Sequence, residues 1–168
     1  VTRLADAYIA AGNKLGFAGV QAENLVETQR ELASLAVDTR SEYTANVDLY
    51  SRMTRAASSL GGATDTQIRR VTETVAKALA GATQGERASA ILQLGQGLAS
   101  GALAGDELKA IRENSRVAAQ AIADEFGVTV GQLKQLGAEG KLVSERVFAG
   151  LLKASEEVDT AFDRTRTT

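Results

Sequence analysis

Three glutamates at spacings of four residues, Glu23, Glu27 and Glu31, come closest to a chemical site in this sequence. Side chains four residues apart share one face of a helix, so these carboxylates have the spacing of metal ligands in a helical bundle. Such a site also needs inward-pointing ligands on facing helices, and di-iron sites of this kind use a Glu-x-x-His pair. We therefore interpret the three glutamates as a solvated helix face.

Catalytic side chains are scarce because the sequence contains neither histidine nor cysteine. The commonest general base, the usual zinc ligands and the Ser-His-Asp and Cys-His arrangements are therefore all missing. Asp124-Glu125 and Glu156-Glu157 remain as carboxylate pairs, but adjacent residues point in different directions around a helix. We predict that the chain is not an enzyme and that it binds neither a metal nor a cofactor.

Two glycine-rich stretches match nucleotide-binding motifs only in part. Gly95-Gln96-Gly97 lacks both the third glycine and the preceding strand of a dinucleotide-binding loop. The stretch 137–141 reads GAEGK, but Gln135 and Leu142 stand where a phosphate loop needs Gly and Ser or Thr. We predict no phosphate site in either stretch.

A different glycine pattern, formed by Gly97, Gly101 and Gly105, repeats at a spacing of four residues. Small residues at this spacing allow the close approach of another backbone. The pattern fits either packing within the chain's own core or a contact face for another protein chain. Sequence alone leaves both interpretations open.

The stretch 126–142, FGVTVGQLKQLGAEGKL, is similar to the second half of a helix-turn-helix. The motif needs a small packing residue, a tight-turn glycine and two core anchors, and those positions hold Ala123, Gly127, Leu133 and Leu136. Any corner between two short helices needs the same parts, so we interpret the stretch as a helical corner. A DNA-binding regulator that uses residues 119–142 is the alternative, although Lys134 and Lys141 supply little positive charge for it.

Composition indicates one helical domain in a chain of 168 residues. The net charge of −2 provides no general attraction for nucleic acid. Proline is absent, and aromatic residues make up only 4% of the chain, so we expect uninterrupted helices and a core of Leu, Ile, Val and Ala. The sequence shows no apolar run long enough for a membrane span and no signal-peptide pattern.

Apolar stripes at helical spacing predict an all-α fold of about eight helices. Residues 1–20 form a less regular helical lead-in that breaks at Gly12, Gly16 and Gly19. Helix starts are predicted near Ala22, Ser41, Thr64, Thr83, Gly105, Val130 and Ser144, with Asn114-Ser115 dividing or bending the stretch 105–127. Helix ends are predicted at the glycines, which include Gly61-Gly62, Gly81, Gly127 and Gly140. Three of the starts are Thr-x-x-Gln or Thr-x-x-Glu capping boxes, at Thr64, Thr83 and Thr129.

The first residue is Val1 and the last four are Thr-Arg-Thr-Thr. We expect the sequence to be a piece of a longer polypeptide. The domain then spans 1–168, and its C-terminal helix, 144–168, continues into the parent chain.

Several separated blocks of the sequence strongly resemble one family, the tailed-phage tape measure proteins, in their globular tape measure domain. The blocks, in order, are VDLYSRMTRAASSLG (47–61), IRRVTETVAKALAGA (68–82), LQLGQGLASGALAGDELKAIREN (92–114) and AQAIADEFGVTVGQLKQLGAEGKLVSERVFAGLL (119–152). Together they cover most of the chain.

The resemblance implies a structural protein of the phage or prophage tail. It would lie in the tail tube, set the length of the tail during assembly and help to nucleate the tube. Its expected locations are the virion tail and, during assembly, the host cytoplasm. Its expected partners are tail tube, chaperone or baseplate proteins and other copies of itself. We expect no small-molecule, nucleic-acid or membrane partner for this segment.

Overall fold

The computed structural model describes residues 2–166, and all regular secondary structure in that range is helical. The described chain contains ten α-helices. They are α1 (Thr2–Ala18), α2 (Ala22–Thr39), α3 (Tyr43–Arg55), α4 (Asp65–Ala78), α5 (Gln84–Ser100), α6 (Gly105–Asn114), α7 (Arg116–Phe126), α8 (Leu133–Ala138), α9 (Ser144–Lys153) and α10 (Ser155–Arg166). Short 3₁₀ turns precede α4 at Ala57–Leu60 and α8 at Val130–Gln132.

The all-α class is confirmed, but the predicted count of about eight helices is too low. The stretch 105–127 divides at Ser115, whose hydroxyl accepts a hydrogen bond from the N–H of Ala118 at 3.0 Å and so starts α7. The predicted last helix divides at Ala154 into α9 and α10. No glycine or proline marks this second break. It lets α10 turn onto α4, where Val158 and Phe162 are buried.

The predicted breaks at Gly12 and Gly16 are wrong, because α1 runs through both residues and ends just before Gly19 (φ +121°). Gly12 lies against α2: a Cβ at this position would be 3.2 Å from Gln29 Oε1. The Gln29 amide donates a hydrogen bond to the Tyr8 carbonyl of α1 at 2.8 Å. The glycine therefore allows α1 and α2 to approach closely and does not interrupt the helix.

All three predicted capping boxes form: Thr64 with Gln67, Thr83 with Glu86, and Thr129 with Gln132. The predicted cap at Ser41 does not form, because the N-cap of α3 is Glu42. The Ser41 hydroxyl instead bonds to the Thr39 hydroxyl at 2.7 Å and accepts from the Asn46 amide at 2.8 Å. It therefore stabilises the turn between α2 and α3 from inside the protein.

The central helix is α5, which packs against α3, α6 and α9. It approaches α3 over Gly95, where a Cβ would lie 3.7 Å from the Cα of Leu49. Leu49, Leu94 and Leu98 are completely or almost completely buried around this contact. Because few aromatic side chains are available, small residues that bring helices together are what allow this core to close.

A buried arginine connects α5 to the end of α2. The Arg87 guanidinium donates from Nη1 to the Thr39 carbonyl at 2.8 Å and to the Arg40 carbonyl, and from Nη2 to the Ala82 carbonyl at 2.9 Å. Only 7% of Arg87 is exposed. One side chain thus satisfies carbonyls at the C-terminus of α2, where Arg40 adopts the left-handed conformation, and in the turn before α5.

We predict that Arg87→Ala destabilises the protein by about 2–4 kcal/mol, because buried carbonyls lose charge-assisted donors. Urea unfolding monitored by circular dichroism measures this. Arg30→Ala is the matched control, since Arg30 is an exposed arginine of α2. Equal unfolding midpoints for the two variants would show that Arg87 does not stabilise this junction.

A cluster of charges holds α10 on α4. The Asp159 carboxylate accepts from Arg70 Nη2 at 2.6 Å and from Lys77 Nζ at 2.9 Å, and Lys77 also pairs with Glu73 at 2.7 Å. The Lys77 ammonium lies 5.6 Å from the centre of the Phe162 ring. Burial alone would raise the pKa of Asp159, but the hydrogen bonds from Arg70 and Lys77 outweigh it and hold that pKa below its ordinary value.

A carboxyl whose pKa is lowered by folding contributes stability above its unfolded pKa, and this contribution is lost as the pH falls through the folded pKa. We therefore predict that Asp159→Asn costs about 1 kcal/mol of unfolding free energy at pH 7. The difference from the wild type should shrink as the pH falls below about 4. Urea unfolding at pH 7 and at pH 3 measures both values.

Asp163→Asn provides the control, because Asp163 is exposed one helical turn further along α10. The pKa of Asp48 behaves like that of Asp159: burial would raise it, but hydrogen bonds from Lys14 and Arg52 lower it overall. Its effect is common to wild type and variants and cancels in the comparison. A penalty for Asp159→Asn that does not change between pH 7 and pH 3 would contradict the prediction.

Candidate protein-contact surfaces

Two loops, residues 101–103 and residues 142–144, are joined by backbone hydrogen bonds. We call this contact the loop crossing. The N–H of Leu103 donates to the Leu142 carbonyl at 2.8 Å, and the N–H of Ser144 donates to the Gly101 carbonyl at 2.8 Å. The buried Ser144 hydroxyl donates to the Gly97 carbonyl at 2.7 Å. These bonds fix the end of α5 against the start of α9.

The loop crossing explains why Gly97 is a glycine. A Cβ at this position would lie 2.9 Å from Leu103 Cδ1, so any larger residue would displace the leucine. Gly101 ends α5 with φ +104°, and both Gly101 and Gly105 are exposed. Gly97 therefore packs within the chain, whereas Gly101 and Gly105 remain the accessible part of the predicted contact face.

Gly105 lines a groove of about 580 Å³ between α6 and α8. The other residues that line this α6–α8 groove are Asp106, Leu108, Lys109, Arg112, Glu113, Val130, Lys134 and Gly137. Gly137 allows α8 to approach α6, since a Cβ there would be 3.3 Å from Leu108 Cδ2. The groove is therefore a product of a close helix contact.

The helix-turn-helix-like corner is built from α7 and α8. Gly127 has φ +66°, and Ala123 and Leu133 are completely buried, as helix packing at a corner requires. The helix that would read DNA, α8, is only six residues long. Of the two lysines, Lys134 is exposed, while Lys141 lies 3.4 Å from the Glu139 carboxylate. This arrangement offers little positive charge to a phosphate backbone.

The carboxylates of the sequence occupy the surface or pair with cations. Glu23 and Glu27 are exposed on α2, and Glu31 lies 2.5 Å from Arg69 Nε of α4. Glu125 pairs with Lys153 at 2.8 Å. Within residues 2–166, no three carboxylates come together as a metal site would require.

Ion pairs between distant segments, such as Glu31 with Arg69 and Asp159 with Arg70, were not predicted from the sequence. Charged residues at helical spacing look the same whether they face solvent or another helix. In the described part of the chain, no helix combines the length and apolarity that crossing a membrane requires.

The hairpin of α1 and α2 also exposes individual apolar side chains. Phe17 is 90% exposed, and Leu4 and Val37 are each 77% exposed. Single exposed apolar residues are common on soluble proteins. This surface is therefore a weaker candidate than the α6–α8 groove, which has defined walls.

Comparison with protein families matches residues 1–168 to the family described as tape measure protein. The chain belongs to the tape measure protein family. No similar curated protein and no similar solved structure was found. The family is structural rather than catalytic, and its members are components of the phage virion tail. The surfaces of this tape measure protein are therefore candidates for contact with other tail proteins.

We predict that the tape measure chain binds random duplex DNA only weakly at low salt and not measurably at moderate salt, because its corner offers few cations. Fluorescence anisotropy at two salt concentrations measures this. Lys134→Ala with Gln135→Ala tests the corner, and Arg30→Ala serves as the control for loss of one exposed cation. Sequence-dependent submicromolar binding that only the double variant abolishes would support a DNA-binding role instead.

Proposed function

We propose that this chain is an assembly module of its tape measure protein, which helps to set tail length and to nucleate the tail tube. The observation that carries the proposal is the folded-back path of a chain that belongs to a family of tail proteins. The longest of the described helices, α2, has 18 residues and spans about 27 Å. The chain therefore does not act as a stretch of extended ruler.

The contrast in length is large. As one continuous helix, 168 residues would span roughly 250 Å. A compact domain of this size has a radius of gyration of about 15 Å. A folded domain within a tape measure protein therefore adds little to the length that the protein spans. Its role in the tail depends on contacts with other proteins.

The partners that fit this role are tail tube, tail assembly chaperone or baseplate proteins, and other copies of the tape measure protein. Binding would begin in the host cytoplasm during assembly and persist in the virion tail. Exposed residues of the contact face, Gly101 and Gly105, and the adjoining α6–α8 groove are available for such contacts.

We predict that an in-frame deletion of this region from the parent protein blocks tail assembly or gives aberrant tails, because a contact module is lost rather than a length of ruler. Electron microscopy of the phage lysate measures the number and length of tails. An equal deletion in an extended helical stretch of the parent protein is the control, and it should shorten tails in proportion. Viable tails shortened by the full helical length of this region would contradict the proposal.

A further inference from the structure

We propose that the α6–α8 groove docks an acidic amphipathic segment of a partner protein. The inference rests on the proposed assembly function in one respect only, which is that the occupant is another protein. It adds the place of contact and the chemistry of the partner.

The floor of the groove is apolar and shaped by close packing. Leu108 forms part of it and is 2% exposed, and Val130 is half-buried beside it. Gly137 of α8 is buried against Leu108, so the two helices lie close at the bottom of the groove. A volume of about 580 Å³ is enough for a few apolar side chains of a docked segment.

The α6 wall of the groove carries two exposed cations, Lys109 and Arg112, and the α8 wall carries one, Lys134. Within residues 2–166, none of these three side chains lies in an ion pair. They are therefore available to an external carboxylate.

The acidic residues of the groove lie further out. Asp106 and Glu113, together with Lys109, also line the neighbouring cleft between α5 and α6. A side chain that borders both clefts sits on the outer crest of α6. Arg112 and Lys134 do not line that second cleft, and Arg112 lies one helical turn from Leu108 on the same face of α6, so a cation adjoins the apolar floor.

An acidic amphipathic segment fits both features at once. Its apolar side chains cover Leu108 and Val130, and its carboxylates meet Arg112 and Lys134 on the walls. Duplex DNA fits less well, because a phosphate backbone leaves an apolar floor unoccupied and needs a row of cations. Complementary charges of this kind chiefly set specificity and the rate of association.

The test uses two designed helical peptides of equal length, both with leucines along one face. The first carries glutamates on its other face, and the second carries lysines at the same positions. Each is titrated into the ¹⁵N-labelled chain while amide chemical shifts are followed by NMR. We expect the acidic peptide to shift the amides of Leu108, Arg112, Val130 and Gly137 and to bind at least tenfold more tightly than the basic one. Equal binding of the two peptides, or shifts confined to other surfaces, would overturn the proposal.

A double variant that reverses both charges provides the second part of the test. Arg112→Glu with Lys134→Glu should weaken the acidic peptide at least tenfold and strengthen the basic one. Arg30→Glu with Arg55→Glu is the matched control, because it makes the same change in net charge at exposed residues of α2 and α3. An equal loss in both double variants would show a general charge effect and no groove. If the groove variant unfolds, the wild-type comparison of the two peptides still decides.

If the groove binds duplex DNA or a second copy of the chain instead, the experiments give different results. Duplex DNA that shifts the same amides more strongly than the acidic peptide would replace the proposal with a nucleic-acid site. A dimer detected by light scattering, and lost on Arg112→Glu with Lys134→Glu, would make the occupant a second copy and overturn it.

Failure of this inference and failure of the proposed function are separable. Phage whose parent protein carries Arg112→Glu with Lys134→Glu should yield few normal tails. Normal tails in that phage, together with defective tails after deletion of the whole region, would refute the groove and leave the assembly function standing. Specific peptide binding combined with tails merely shortened by the deletion would refute the assembly function alone.

Discussion

The loop crossing is the constraint on which the C-terminal half of the structure depends. Three hydrogen bonds, two from Ser144 and one from Leu103, join residues more than 35 positions apart in the sequence. The helix α6 begins shortly after one side of the crossing, and α8 ends shortly before the other. The loop crossing therefore helps to position these two helices, whose direct contact at Gly137 and Leu108 forms the α6–α8 groove.

Glycines allow the closest helix contacts in this core. Gly95 brings α5 onto α3, Gly137 brings α8 onto α6, and Gly150 brings α9 onto α7, where a Cβ would lie 3.2 Å from the Ala121 carbonyl oxygen. Packing of this kind leaves little space for adjustment, since backbone atoms cannot move aside as side chains can. The resulting helix contacts are therefore close and rigid.

Polar contacts then fasten the ends of this core. Arg87 binds carbonyls that end α2, and Asp159 holds α10 through Arg70 and Lys77 of α4. Both contacts are shielded from water on most sides, so they are stronger than the same groups would be on an open surface. Within residues 2–166, Arg112 and Lys134 lie in no ion pair, and their position in the α6–α8 groove is the reason to assign them an external partner.

Local interactions determined what could be read from the sequence. The all-α class, the three capping boxes and the left-handed turns at Gly127 and Gly140 depend on residues within a few positions of each other, and all of them form. Family membership likewise was evident from the order of the sequence blocks. The groove was not predicted, although the small-residue pattern in the sequence includes Gly105, which lines it.

Tertiary structure decided the features whose causes lie far apart in the chain. Gly12 does not break α1 because Gln29 of α2 packs against it, and the chain bends at Ala154 because Asp159 and Phe162 find their partners on α4. Gly97 faces inward because Leu103 and Ser144 meet it there, while Gly105 stays on the surface. A small residue or a charge has the same spacing in either case, so only the fold distinguishes a buried contact from a surface open to a partner.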